Sequence, residues 1–420
     1  MTVQADQIQL NAALSTPVML ADKKQTVYLR VGLIGFRIEK ENVAPINVAL
    51  VIDQSGSMRG EKIRRAKDAA IMAIERLRQD DIIAVVTYNH SAEILLSANK
   101  AQDKEMLKAA INQLISGGQT ALYDGIEKAA KEVRKFLERN RINRIVIVSD
   151  GLANVGPSTP EELGALGASL GKENITVTTI GLGLGYNEDL MTQLSEKSDG
   201  NHAFAENPDE LTDFFDHEFG DILSVASQEV DVAIIGVDGV RPIRVLGREA
   251  QIQGEQVLVK LNQLYSQQEK YVLVELEVPP IKANQERMIA GVAVIYRNMD
   301  TDIMERFSSM ITATFTESPQ QVEENTNTVV MTAAAEQLAV ETNKLAVELR
   351  DKGKIKEAQR VLLDNAHFLA EEAAKYGAKS LEKLKDINLD DAENLEEENW
   401  VKQRKSMRRQ QYKWQNQQTY

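Results

Sequence analysis

The sequence predicts an α/β fold: a doubly wound, mostly parallel sheet inserted in an antiparallel β-sandwich and followed by a C-terminal α-helical hairpin. Three observations carry this. Between residues 43 and 222, short apolar runs alternate with helical patterns, the signature of parallel βαβ units. On either side, residues 1–42 and 225–317 show strand alternation with little helical periodicity. From residue 320 to 378, apolar residues return at helical spacing in two stretches.

In chain order, IQLNAAL (8–14) and TVYLRVGLIGF (26–36) read as the first sandwich strands. NVALVID (47–53), DIIAVVTY (81–88), RIVIVSD (144–150) and ITVTTIGLG (175–183) are continuous apolar runs, as expected of strands covered on both faces. Between the first two, Ile63, Ala66, Ala70, Ile74 and Leu77 recur at helical spacing, with Arg64, Arg65, Lys67 and Asp68 outward. A second helix is expected from about Ala121 to Leu137, and a third after PSTPEEL (157–163). VDVAIIGVDGVRPIRVLG (230–247), QVLVKLNQL (256–264), KYVLVELEV (270–278) and MIAGVAVIYR (288–297) return to strand character. Asp238-Gly239 is read there as a hairpin turn, because both residues tolerate positive φ. These flanks would leave open edges if separate, so 1–42 and 225–317 are assigned to one sandwich and 43–222 to the inserted domain.

The hairpin, 320–378, places Ala334, Leu338, Leu345 and Leu349 on one helix and Ile355, Ala358, Leu362, Leu369 and Ala373 on the next, with Gly377 as a C-terminal cap. Residues 379–420 read as an acidic linker and a flexible basic tail carrying Lys402, Arg404, Lys405, Arg408, Arg409 and Lys413 with Trp400, Tyr412, Trp414 and Tyr420. An aromatic, cationic tail on an acidic protein suits docking on another subunit, an acidic partner or a membrane surface.

Composition narrows the chemistry. With 420 residues and a formal charge of −14, the chain is long enough for more than one core, and its charge opposes nucleic acid as a general partner. No apolar stretch nears the ~20 residues of a membrane span, and the first residues lack a secretory pattern, so a cytoplasmic location is expected. There is no cysteine and only four histidines, at 90, 202, 217 and 367, without metal-ligand spacing. Any metal must be held by oxygen.

Oxygen donors collect where an open parallel sheet binds ligands, beyond the C-terminal strand ends. Asp53, Ser55 and Ser57 come from DQSGSM, Thr120 from SGGQTALYDG (116–125) and Asp150 from VSDG. Two carboxylates with three hydroxyls suit Mg²⁺, Mn²⁺ or Ca²⁺. Gly56, Gly117 and Gly118 let the loops approach closely. The competing reading is that Asp53 and the serines only cap the following helix.

The motif D-x-S-x-S, then T, then D resembles the metal-ion-dependent adhesion site of the von Willebrand factor type A domain. DQSGSM (53–58), GGQTALYDG (117–125) and SDG (149–151) follow in the family's order, and residues 175–211 resemble its closing strand, helix and edge strand. The resemblance covers about 43–222, with no ligand position eroded. It implies that Asp53 anchors the site, that Ser55 and Ser57 bind the ion directly, and that Thr120 does so in the ligand-competent form. Asp150 would act largely through water, and a partner's acidic residue would complete the shell. The wider arrangement is similar to bacterial proteins of the YfbK type and to inter-alpha-trypsin-inhibitor heavy chains.

The resulting expectation is a non-enzymatic, Mg²⁺-dependent protein-binding adaptor or scaffold whose partner presents an Asp or Glu; family analogy adds an AAA+ ATPase as a candidate partner. A self-assembling structural protein, using sandwich, helices and tail for homo-oligomer contacts, is the second reading. A phosphoryl hydrolase is third: Asp53 as nucleophile would need a second carboxylate two residues on, where Ser55 stands. GLGLG (181–185) lacks the spacing of a phosphate-cradling loop and is assigned to a strand-to-helix turn. His90 is read as a solvated loop residue, and Asp124, next to Tyr123, as a residue that holds the loop or starts the helix.

Overall fold

The structure, a computed structural model, describes residues 8–38 and 43–418. Residues 1–7 and 39–42 of the first sandwich segment, and Thr419 and Tyr420 of the tail, lie outside the described residues. The chain divides into two compact units, one containing Ile38–Ala226 and the other the N-terminal strands, Ser227–Asn298 and the C-terminal part from Ile303.

Strands β1 (Gln9–Leu14), β2 (Val18–Leu20) and β3 (Gln25–Ile34) come first and belong to the second unit. The α/β unit follows as β4 (Ile46–Asp53), α1 (Glu61–Arg76), β5 (Ile82–Tyr88), β6 (Ala92–Lys100), α2 (Lys104–Asn112), α3 (Leu122–Arg134), β7 (Ile142–Ser149), α4 (Pro160–Lys172), β8 (Ile175–Leu182), α5 (Glu188–Lys197), β9 (His202–Ala205) and α6 (Glu210–Ile222). Its sheet runs β6-β5-β4-β7-β8-β9, and β6 alone is antiparallel to its neighbour. Every residue of β4, β5, β7 and β8 is buried, which explains their unbroken apolar runs. β4 sits centrally, so its C-terminal carboxylate emerges between β5 and β7. Ile63, Ala66, Ala70 and Ile74 are the buried side of α1.

One polar cluster lies inside this unit. The Arg144 guanidinium pairs with Glu218, and both side chains are 0% exposed. Glu218 also accepts from Thr178 Oγ1 at 2.6 Å and Asn201 Nδ2 at 2.8 Å. An ion pair this deep is tolerated only while every partner is present.

The second unit continues with β10 (Val225–Gly236), β11 (Arg241–Leu246), β12 (Gln251–Gln253), β13 (Gln256–Tyr265), β14 (Glu269–Val278), β15 (Glu286–Asn298) and β16 (Met304–Thr316). Two sheets form, β1-β3-β14-β11 and β12-β13-β10-β15-β16-β2. β3 pairs antiparallel with β14 from Gln25↔Val278 to Ile34↔Glu269. Leu29, Val31, Val272 and Val274 of one sheet share a core with Val232, Ile234, Val292 and Val294 of the other. Asp238 and Gly239 do turn with positive φ, and Val240 N–H donates to Val237 O at 3.1 Å. The turn is nevertheless a corner and not a hairpin, since β10 and β11 lie in different sheets.

Helices α7 (Pro319–Glu324), α8 (Thr328–Asp351), α9 (Ile355–Tyr376), α10 (Lys379–Glu393) and α11 (Glu397–Gln415) complete the unit. Gly377 caps α9 in the left-handed conformation, φ 65°. α8 seats Val330, Ala333 and Ala334 against Leu246, Tyr271 and Leu273 of the sandwich. The expected linker and tail are instead α10 and α11. Trp400 and Met407 pack with Val347, Leu362 and Ala392, and Tyr412 is buried. The reason is a layer of amides that hydropathy does not register. Asn343 Nδ2 donates to Asn388 Oδ1 (3.0 Å) and Asp391 Oδ2 (2.9 Å). Gln403 donates to Asp391 Oδ1 at 2.6 Å, and Gln411 to Asn343 Oδ1 at 2.7 Å. Among the described residues no helix is long and apolar enough to cross a membrane.

Two outcomes follow. Arg144→Met removes the guanidinium from the buried Glu218 carboxylate, and urea unfolding should show a loss of about 3–5 kcal/mol, largely recovered in Arg144→Met/Glu218→Leu. Burial pushes the Asp391 carboxyl up to about 6, against the hydrogen bonds from Asn343 and Gln403. Its folded pKa thus exceeds its unfolded one, so the native state takes up a proton between them. This contribution is complete below about pH 4 and is lost as pH rises through 6, on the order of 3 kcal/mol. Asp391→Asn should flatten the dependence of melting temperature on pH between 4 and 7.

Candidate metal centre

The site begins with a strand that has nowhere to continue. β4 ends at Asp53, and the chain turns through a short 3-10 segment, Gly56–Met58, before α1. Asp53, Ser55, Thr120 and Asp150 are all buried, whereas Ser57 is exposed. Asp53 Oδ1 accepts from Ser55 N–H at 2.7 Å. Asp53 Oδ2 accepts from Ser149 Oγ at 2.7 Å and Tyr88 OH at 3.3 Å. The carboxylate is therefore oriented by its own loop and by the ends of both neighbouring strands.

Backbone bonds bring the other two loops in. Gly117 N–H donates to Gln54 O at 2.6 Å, and Gly56 N–H to Gly118 O at 3.1 Å. Gly118 must be glycine: its φ is +98°, and a Cβ there would lie 2.6 Å from His90 Nδ1. Thr120 N–H donates to Asn154 Oδ1 at 3.0 Å, and Asn154 N–H returns to Thr120 O at 3.2 Å.

All five sequence-predicted residues meet. Ser55 Oγ and Ser57 Oγ are 2.9 Å apart, and Ser57 Oγ donates to Asp150 Oδ1 at 2.7 Å. A Cβ on Gly151 would sit 3.2 Å from Thr120 Oγ1 and 3.6 Å from Ser57 Oγ, so the missing side chain leaves room beside both hydroxyls. The Lys62 ammonium, from the first turn of α1, pairs with Asp150 Oδ2. Burial pushes the Asp53 carboxyl up, opposed by the Ser55 and Ser149 hydrogen bonds. Tyr88 is pushed well above its ordinary value, first by burial and then by Asp53, so its hydroxyl stays a donor.

This donor set fits a hard dication. Two carboxylates and three hydroxyls converge with no nitrogen or sulfur ligand, and the buried charge of Asp53 is one that a cation relieves. Among the described residues there is no group of three or more His, Asp or Glu side chains arranged for a metal. His90 is exposed beside Gly118, and Asp124 stands in the first turn of α3. The GLGLG glycines are taken up by packing: a Cβ on Gly181 would meet the Tyr186 ring at 2.3 Å, and one on Gly185 would meet Asp150 O at 2.7 Å.

Tyr88, Ser149, Asn154 and Lys62 were not among the residues predicted. Ser149 and Tyr88 end the strands on either side of β4, and Lys62 opens the helix that leaves the site. Those positions are the signal that could have found them.

Residues 47–217 match the family model of the von Willebrand factor type A domain. An uncharacterized protein of Synechocystis sp. is 26% identical over 64% of this chain and 65% of its own length. The uncharacterized Escherichia coli protein YfbK is 27% identical over 50% of this chain and 37% of its own. Human inter-alpha-trypsin inhibitor heavy chain H3 is 28% identical over 39% of this chain and 19% of its own. The chain thus spans less than two thirds of each. A von Willebrand factor type A protein from Catenulispora acidiphila superposes with a TM-score of 0.74 at 17% identity, covering 91% of both chains. The ArnB paralog VWA2 of Sulfolobus acidocaldarius does so with 0.66 at 18% identity, covering 98% of both. These two share the fold. Residues 47–217 are a von Willebrand factor type A domain, carried in a chain whose remaining strands and helices form a unit of their own.

Proposed function

We propose that the chain is a non-enzymatic protein-binding adaptor whose type A domain holds Mg²⁺, with the last coordination position taken by an Asp or Glu of a partner protein. The observation that carries this is the convergence of Asp53, Ser55, Ser57, Thr120 and Asp150 with only two carboxylates among them. Mg²⁺ wants six oxygens and keeps some of its water, so so sparse an anionic set invites a further carboxylate from outside. Asp53 anchors the centre, Ser55 and Ser57 offer their hydroxyls, Thr120 joins when a ligand is engaged, and Asp150 acts through water. Mn²⁺ fits the same donors.

Against hydrolysis, Asp53 is enclosed by Ser55, Ser149 and Tyr88, an arrangement that orients a ligand and shields a nucleophile. Against self-assembly through the tail, Trp400 and Tyr412 are buried and Trp414 packs partly buried against the helical core. The expected cytoplasmic location and, by family analogy, an AAA+ ATPase as partner belong to this reading.

Two measurements test it. Mg²⁺ at about a hundred times its dissociation constant should stabilise the α/β unit by ~2.7 kcal/mol, and Asp53→Asn should abolish both this shift and any EDTA-sensitive partner binding. An unchanged shift in Asp53→Asn removes the proposed centre. Lys62 sets its ammonium on a carboxylate that the ion also needs, so Lys62→Met should tighten Mg²⁺ about tenfold by titration calorimetry.

A further inference from the structure

Most large apolar side chains that face water on a folded protein are scattered singly and mean nothing. Here three of them stand one on each of three loops that border the metal centre. Ile115 is 82% exposed, Leu152 57% and Leu184 47%. Ile115 lies two residues before Gly117, whose N–H is fixed to Gln54 O beside Asp53. Leu152 lies two residues after Asp150. Leu184 lies between Gly183, 3.5 Å from Lys62 Nζ as measured from an added Cβ, and Gly185, whose Cβ would touch Asp150 O at 2.7 Å.

We infer that the partner offers its carboxylate from an apolar setting: one Asp or Glu flanked by large aliphatic or aromatic side chains, which Ile115, Leu152 and Leu184 cover. The inference rests on the metal-dependent reading above and names the chemistry of its partner. Charge selects the anion. A bound dication neutralises Asp53 and Asp150, and the Lys62 ammonium then leaves the centre one unit positive, on a chain whose formal charge is −14. One acidic group meets that charge, and a run of acids would meet the repulsion of the surrounding protein. The apolar collar does the rest. Covering a leucine-sized side chain favours association by about tenfold or more. It also excludes water from the metal–carboxylate contact, where a lower dielectric strengthens the attraction. Serine or asparagine at these positions would supply neither effect.

The test pans short random peptides displayed on phage against the full chain in Mg²⁺, with release by EDTA. Released peptides should carry a single Asp or Glu bordered by Leu, Ile, Phe or Met. The variant Ile115→Ser/Leu152→Ser/Leu184→Ser should keep the Mg²⁺ thermal shift, lose the preference for apolar flanks, and bind a synthetic peptide from the selected pool about 10–100-fold more weakly. Acidic peptides without apolar flanks, or a preference that survives in the triple variant, overturn the collar and leave the metal–carboxylate reading standing. Failure to recover any EDTA-released acidic peptide overturns both.

Discussion

The α/β unit depends on a carboxylate that cannot reach water. Asp53 closes a strand buried along its whole length, and its oxygens are met by a backbone N–H and by hydroxyls from β5 and β7. A charge so placed costs free energy unless something positive is near. The fold answers with geometry. Gly117, Gly118 and Gly56 draw the second loop against the first, and the paired Thr120 and Asn154 bonds draw in the third. The hydroxyls arrive around Asp53 because the backbone leaves them no other place.

Two other buried carboxylates are met by side chains of the chain itself. Glu218 takes Arg144, Thr178 and Asn201, and Asp391 takes Asn343 and Gln403. Asp53, like Asp391 and unlike Glu218, is met by neutral donors, and Lys62 pairs with Asp150 instead. What sets Asp53 apart is its place at the end of a buried strand, where Ser57 and Asp150 gather beside its own loop.

What the sequence made legible was local. The strands β4, β5, β7 and β8 announce themselves because burial on both faces demands an apolar residue at every position. The five candidate site residues were readable because three of them share one short loop and the others sit on glycine-rich or strand-end motifs. β6 was missed: its residues are mostly half-exposed or exposed, and its pairing with β5 slips register, so neither an apolar run nor clean alternation survives. Asp238-Gly239 revealed the turn but not which sheet the next strand joins, because β11 finds β14 across the chain. α11 was hidden for a different reason. Its burial relies on Gln411 meeting the Asn343 amide of α8, Gln403 meeting the Asp391 carboxylate of α10 and Trp400 packing on the helical core, and an amide satisfied by another buried polar group looks, in sequence, like a residue bound for water.

The pairing of β3 with β14 also sets an order of events in synthesis. Arg30 and Glu269, which fork together across these strands, are separated by 239 positions, and the whole type A domain is made between them. Until β14 emerges, β3 has β1 on one side and an open edge on the other, the kind of edge that recruits stray strands. Loop closure costs grow only slowly with length, so the 239 positions between Arg30 and Glu269 add little to the cost of pairing. The open edge therefore lasts for as long as the type A domain takes to be made.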